Sequence, residues 1–114
     1  MKEHHELVRK LAKPGEEIID DLTPTQAFAL HMAIGVSGEA GELLDAIKKF
    51  AIYQKPLDLE NVVEELGDIE FYLQGIRQAF CIDREYVLQQ NIEKLKKRYG
   101  EKYTNAAAIA RADK

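Results

Sequence analysis

The sequence predicts an all-α protein, a four- to five-helix bundle that oligomerisation would complete. Three observations predict it. Apolar residues recur at spacings of three and four along most of the chain, and no strand-like alternation persists for more than a few residues. Thr23, Asp58 and Asp83 each stand directly before such a periodic segment, as helix N-caps do. Pro14-Gly15, Pro56 and Gly100 fall where the periodicity stops.

Each element follows in order. A first short helix is predicted from about Lys2 to Lys13, ended by Pro14-Gly15. Glu16 to Leu22 is an acidic connection or a single helical turn. The second helix opens on Thr23-Pro24-Thr25-Gln26, with a Thr cap, Pro at the first helical position and Gln at the third. Its periodicity runs to about Tyr53, and Pro56 forbids much more. Gly35, Gly38 and Gly41 lie inside it, each weakening a helix by roughly 1 kcal/mol against Ala. They point to close approach of another backbone or of a ligand, or to a break. The third helix starts at the Asp58 cap and runs to about Phe80; the fourth starts at Asp83 and runs to about Tyr99, with Gly100 beyond its end. Lys96, Lys97 and Arg98 suit the negative end of that helix. The whole reads as one domain over 1–114, with 1–22 as an N-terminal arm and 104–114 as a weakly helical or mobile tail.

Sixteen basic against twenty acidic residues give a net charge of −4, which excludes a general nucleic-acid surface. No apolar run approaches the roughly 20 residues of a membrane span. The polar start with His4 and His5 does not resemble a signal peptide, so a cytoplasmic protein is expected. Cys81, the single cysteine, sits among apolar neighbours and is expected to be a packed thiol.

Four carboxylates carry the chemistry. Glu39 and Glu42 stand three residues apart, as do Glu65 and Asp68, with twenty-two residues between the pairs. An i, i+3 pair shares one helix face. At about 100° per residue, Glu39 and Glu42 flank the apolar stripe Val36, Leu43, Ile47 and Phe50. His31 and Lys49 fall on the face of Glu42. Glu65, Asp68 and Tyr72 lie together at the edge of the stripe Val62, Leu66, Ile69, Leu73 and Ile76. The fourth helix puts Leu88, Leu95 and Tyr99 toward the core and Asn91, Lys94 and Arg98 on an adjoining stripe. One acid pair is by itself an ordinary solvated face. Two pairs beside apolar stripes collect like charge that a hard divalent cation with oxygen ligands, such as Mg²⁺, would relieve. The metal would hold phosphate oxygens, and Lys94 or Arg98 would take the remaining phosphate charge.

Two strings, Gly38-Glu39-Ala40-Gly41-Glu42-Leu43-Leu44-Asp45-Ala46-Ile47-Lys48-Lys49 and Val63-Glu64-Glu65-Leu66-Gly67-Asp68-Ile69, resemble the MazG-like all-α nucleoside triphosphate pyrophosphohydrolases. The stretch Asn91 to Gly100 resembles their third motif, and the likeness covers roughly Ala27 to Thr104. The resemblance implies cleavage of an NTP or dNTP between the α- and β-phosphates, giving the monophosphate and pyrophosphate. It implies Glu39, Glu42, Glu65 and Asp68 as ligands of Mg²⁺, with Mn²⁺ as a substitute. It implies Tyr72 near the phosphates and Asn91 and Lys94 as substrate contacts, assisted by Arg98 or Lys102. The basic residue after the first acid pair would be Lys48 or Lys49, and the wheel favours Lys49. The implied assembly is a homodimer or homotetramer with sites near the subunit interface. Some members recognise the base with tryptophan, which this chain lacks, so stacking would fall to Phe28, Tyr53, Phe71 or His31. A water held by the metal or by one of the four acids would attack the α-phosphorus, and an acid not fully engaged by the metal, Glu42, is the expected base. The rival readings are a phosphoribosyl-ATP pyrophosphohydrolase and a non-catalytic helical oligomerisation module. A di-iron bundle fits poorly, since Phe28 and not Glu precedes His31 by three.

Overall fold

The chain is described from a computed structural model, which covers residues 1–100 and 105–110. The described residues are largely helical and contain no strand. Six helices follow in order: α1 (Lys2–Leu11), α2 (Gly15–Asp21), α3 (Pro24–Ala51), α4 (Leu59–Ala79), α5 (Arg84–Tyr99) and α6 (Asn105–Ala110). The short α2 takes the place of the acidic connection, and α6 falls inside the expected tail. Lys102 and the remainder of the tail lie outside the described residues.

The caps form where the sequence puts them. At α3, the Thr23 hydroxyl oxygen accepts from the Gln26 amide at 3.1 Å, and the Gln26 side chain accepts from the Thr23 amide at 2.9 Å. Asp58 and Asp83 accept from the amides of Asn61 and Tyr86 at 3.0 and 3.3 Å. Each bond satisfies an amide that a helix start leaves without a partner. Helix α3 runs 28 residues without a break despite its glycines. It ends two residues sooner than the periodicity suggests, and Gln54 then takes a left-handed φ of 53°. Cys81 also has a left-handed φ of 54°, and the Ile82 amide donates back to the Arg77 carbonyl at 2.8 Å. That closing turn carries Cys81 out to solvent, so the expectation of a packed thiol is corrected.

The packed unit is the antiparallel pair α3–α4, the one extended interface among the described elements; α5 touches α6, and α1, α2 and α5 share no extended interface with the pair. Two close approaches set its register. A Cβ at Gly35 would strike the Tyr72 ring, and a Cβ at Gly75 would strike the Met32 side chain. Glycine at these points lets a bulky residue of the opposite helix lie against the backbone. The same test finds nothing within 4 Å of Gly38, Gly41 or Gly67. So of the three α3 glycines, only Gly35 answers to packing within this chain.

Met32 and Ala46 are the buried apolar residues, and Glu65 is buried with them at 9% exposure. Val36, Leu43, Val62, Ile69, Leu73 and Ile76 are half-buried, whereas Ile47, Phe50, Leu66, Leu88 and Leu95 are exposed. The expected α4 stripe is therefore displaced around the helix. The wheel puts Glu65 at its edge; the structure puts Glu65 near its centre and leaves Leu66 outside. The radius of gyration, 19.8 Å, far exceeds the roughly 13 Å of a compact chain of this length. Most of the large apolar side chains among the described residues are exposed in the single chain.

Candidate metal centre

Glu39 reaches the α3–α4 seam one turn beyond Gly35, and Asp68 lies one turn before Tyr72 on the opposite helix. The Tyr72–Gly35 contact thus sets acids against acids. Carboxylate oxygens of Glu39, Glu65 and Asp68 lie within 4.8 Å of one another. Glu39 and Asp68 are half-buried and Glu65 is buried. Oε2 of Glu65 is buried without a hydrogen-bond partner.

The electrostatics follow from that crowding. The Glu65 carboxyl is pushed up to about 7. The largest cause is the hydrogen bond its protonated form makes to Glu39, followed by burial and by the negative charges of Glu39, Asp68 and Glu42. Without a cation, the site is relieved by keeping a proton. Several carboxylates around one unpartnered buried oxygen suit a hard divalent ion, which takes oxygen ligands and displaces such a proton. The residues therefore fit a metal of this class.

The other expected site residues fall into three groups. Glu42 is exposed and stands outside the tight triad, yet its charge reaches Glu65. Tyr72 and His31 continue along the same seam, their rings edge to face at 6.4 Å, with Phe71 edge-on to Tyr72 at 5.2 Å. Lys49 turns to Asp45 at 3.1 Å, and Lys48 lies 3.9 Å from the same carboxylate. The Lys49 bond holds the Asp45 carboxyl below the usual range. Asp45 as the lysine's partner was missed, although its i, i+4 spacing to Lys49 signals the pair. Asn91, Lys94 and Arg98 ride on α5, which does not pack on the acids within this chain. Lys94 lines a shallow groove with Gln90, Glu93 and Lys97, and the Arg98 guanidinium lies 5.8 Å from the Tyr99 ring. Gly75 was also missed; an isolated glycine inside a helical pattern was its signal.

The sequence profile of the MazG nucleotide pyrophosphohydrolase domain matches residues 29–102, well over half of the chain. The chain belongs to this family. The matched span of the MazG domain holds all four acids, Tyr72, Asn91, Lys94 and Arg98. Comparison with curated proteins and with solved structures finds no match. Among the described residues of the MazG domain and its flanks, no helix is long and apolar enough to cross a membrane.

Proposed function

We propose that this MazG domain is a Mg²⁺-dependent pyrophosphohydrolase that cleaves an NTP or dNTP to the monophosphate and pyrophosphate. The observation that carries the reading is the convergence of Glu39, Glu65 and Asp68 around the unpartnered Glu65 oxygen. These three, with Glu42 beside them, would hold the cation, for which Mn²⁺ could substitute. A bound ion of this kind neutralises charge on phosphate oxygens and acidifies a coordinated water.

The chain's own groups divide the remaining work. Glu42, exposed next to the triad, accepts the proton of the attacking water. The water oxygen bonds to the α-phosphorus, the bond to the bridging oxygen breaks, and pyrophosphate leaves with the electron pair. Glu39 orients the water from the other side. Lys94 and Arg98 donate to phosphate oxygens and Asn91 to phosphate or sugar, with Lys49 as a further cation once it leaves Asp45. Tyr72, one turn after Asp68, stands near the phosphates, and His31, edge to face with it, takes the base end along the seam. A homodimer or homotetramer belongs to the same reading, because α5 must reach acids that it does not pack against within one chain. So do a single functional domain over 1–114 and a cytoplasmic setting.

Pyrophosphate release from a panel of NTPs and dNTPs with Mg²⁺ tests the reading. An unchanged rate for Glu39→Gln or Asp68→Asn would sink it. Activity confined to phosphoribosyl-ATP would redirect the substrate. No thermal shift with Mg²⁺ and nucleotide would favour a non-catalytic helical module.

A further inference from the structure

Asp45 stands one turn beyond Glu42 on α3, outside the metal centre. Both lysines that follow the first acid pair turn to it. The Lys49 ammonium lies 3.1 Å from its Oδ2, and the Lys48 ammonium 3.9 Å from its Oδ1. By itself a solvated i, i+4 pair does little for stability. Its place on the helix gives this one more to do. Helical side chains lean toward the helix N-terminus. Lys49 is seven residues past Glu42 and about 20° from it on the wheel, so its ammonium is aimed back along the face that Glu42 shares. Asp45, four residues before Lys49 and about 40° from it, intercepts that ammonium one turn short of Glu42. Lys49 is thus a cation that α3 itself offers to phosphate at the acids, and the free chain holds it back.

The contact is built to exchange. The side chains of Lys49 and Asp45 are 55% and 47% exposed, so water screens the pair and lets it open. Lys48 keeps its own oxygen when Lys49 leaves, so the carboxylate retains a partner. The Lys48 ammonium also lies 5.8 Å from the centre of the Tyr53 ring, which steadies it in that place. A Mg²⁺-bound triphosphate or pyrophosphate offers Lys49 several charged oxygens in place of one. Once the phosphates depart, Asp45 is the acceptor that remains within reach.

We propose that Asp45 competes with phosphate for the Lys49 ammonium and, by drawing Lys49 back, helps pyrophosphate leave. The proposal deepens the function proposed above and rests on it. Asp45 touches neither metal nor substrate; it is a positioning residue that acts through Lys49. The pair forms only when Lys49 is free of phosphate, so it weakens every ligand that uses Lys49. Triphosphate, transition state and pyrophosphate are weakened by the same factor, which moves binding and leaves the chemical step alone.

Inhibition of NTP hydrolysis by inorganic pyrophosphate, at saturating Mg²⁺, tests this. Asp45→Asn frees Lys49 and is expected to lower both the Ki of pyrophosphate and the KM of the NTP about two- to fivefold, the span that exposed ion pairs cover. The kcat is expected to be no higher. Asp45→Glu keeps the i, i+4 charge pair and is expected to keep the wild-type values. In a Lys49→Met background, Asp45→Asn is expected to change neither constant. An unchanged Ki in Asp45→Asn overturns the proposal, while the pyrophosphohydrolase reading stands on the wild-type rate. An equal drop in the Lys49→Met background overturns it as well, because Asp45 would then act by repelling anions and not through Lys49. A wild type that neither releases pyrophosphate from NTPs nor binds Mg²⁺-pyrophosphate in calorimetry overturns both the proposal and the function beneath it.

Discussion

The α3–α4 seam and α5 were predicted as two halves of one site, and they differ in every physical respect. The seam is packed, its glycines hold Tyr72 and Met32 against the opposite backbone, and its acids meet within 4.8 Å. Helix α5 carries Asn91, Lys94 and Arg98 on a surface that this chain leaves largely in water. The difference teaches that an acidic centre can be assembled by local register alone. Bringing cations to it takes a further packing event. Metal binding and substrate binding should therefore separate experimentally.

The largest effect is expected at the acids. Glu39→Gln or Asp68→Asn should lower pyrophosphate release at least about a hundredfold, since even outer partners of metal ligands are worth ten- to a hundredfold. The thermal shift on adding Mg²⁺ should disappear with it. Next come Asn91→Ala and Lys94→Ala, which remove donors to charged oxygens worth about 1.5–3 kcal/mol each. Turnover per KM should fall roughly ten- to a hundredfold. The Mg²⁺ shift alone, measured without nucleotide, should stay as in the wild type. Its loss in either variant would break the separation of the two regions.

Smaller effects sharpen the comparison within the seam. Gly35→Ala drives a methyl into the Tyr72 ring and should cost about 1–3 kcal/mol in denaturant unfolding. Gly67→Ala, with open space at its Cβ, should gain up to about 1 kcal/mol. The last prediction concerns pH. Glu65 titrates near 7 in the folded chain and near 4.5 when unfolded. Between those values the folded chain holds a proton that the unfolded chain has released, so stability falls as pH rises through this window. The contribution is complete below about 4.5 and gone above about 7. Melting in chelator across this range should show that decline, and Glu65→Gln should flatten it. Mg²⁺ added near neutral pH should release protons.

Much of this was legible in the sequence for local reasons. Thr23, Asp58 and Asp83 act on amides three residues away, so their caps could be read directly. The two acid pairs could be placed on helix faces from their spacing, and Tyr72 followed from standing one turn after Asp68. What the sequence hid depends on the neighbouring helix. The burial of Glu65 at the centre of its face follows from how α4 rotates to fit Tyr72 over Gly35, a contact between residues far apart in the chain. The three α3 glycines look alike in sequence, yet one faces a tyrosine ring and two face open space. The position of α5 was illegible for the same reason, because its apolar stripe names no partner.

The two glycine contacts have a mechanical consequence. Gly35 on α3 receives Tyr72 from α4, and Gly75 on α4 receives Met32 from α3. Each helix thus carries a notch for the other's tooth. A notch on one rail alone would tolerate sliding that lifted a single side chain; reciprocal notches unseat both at once, whichever way the rails move. Three mutually repelling carboxylates on such a frame cannot ease apart by slipping a turn. Their repulsion must be answered in place, by a proton or by a cation.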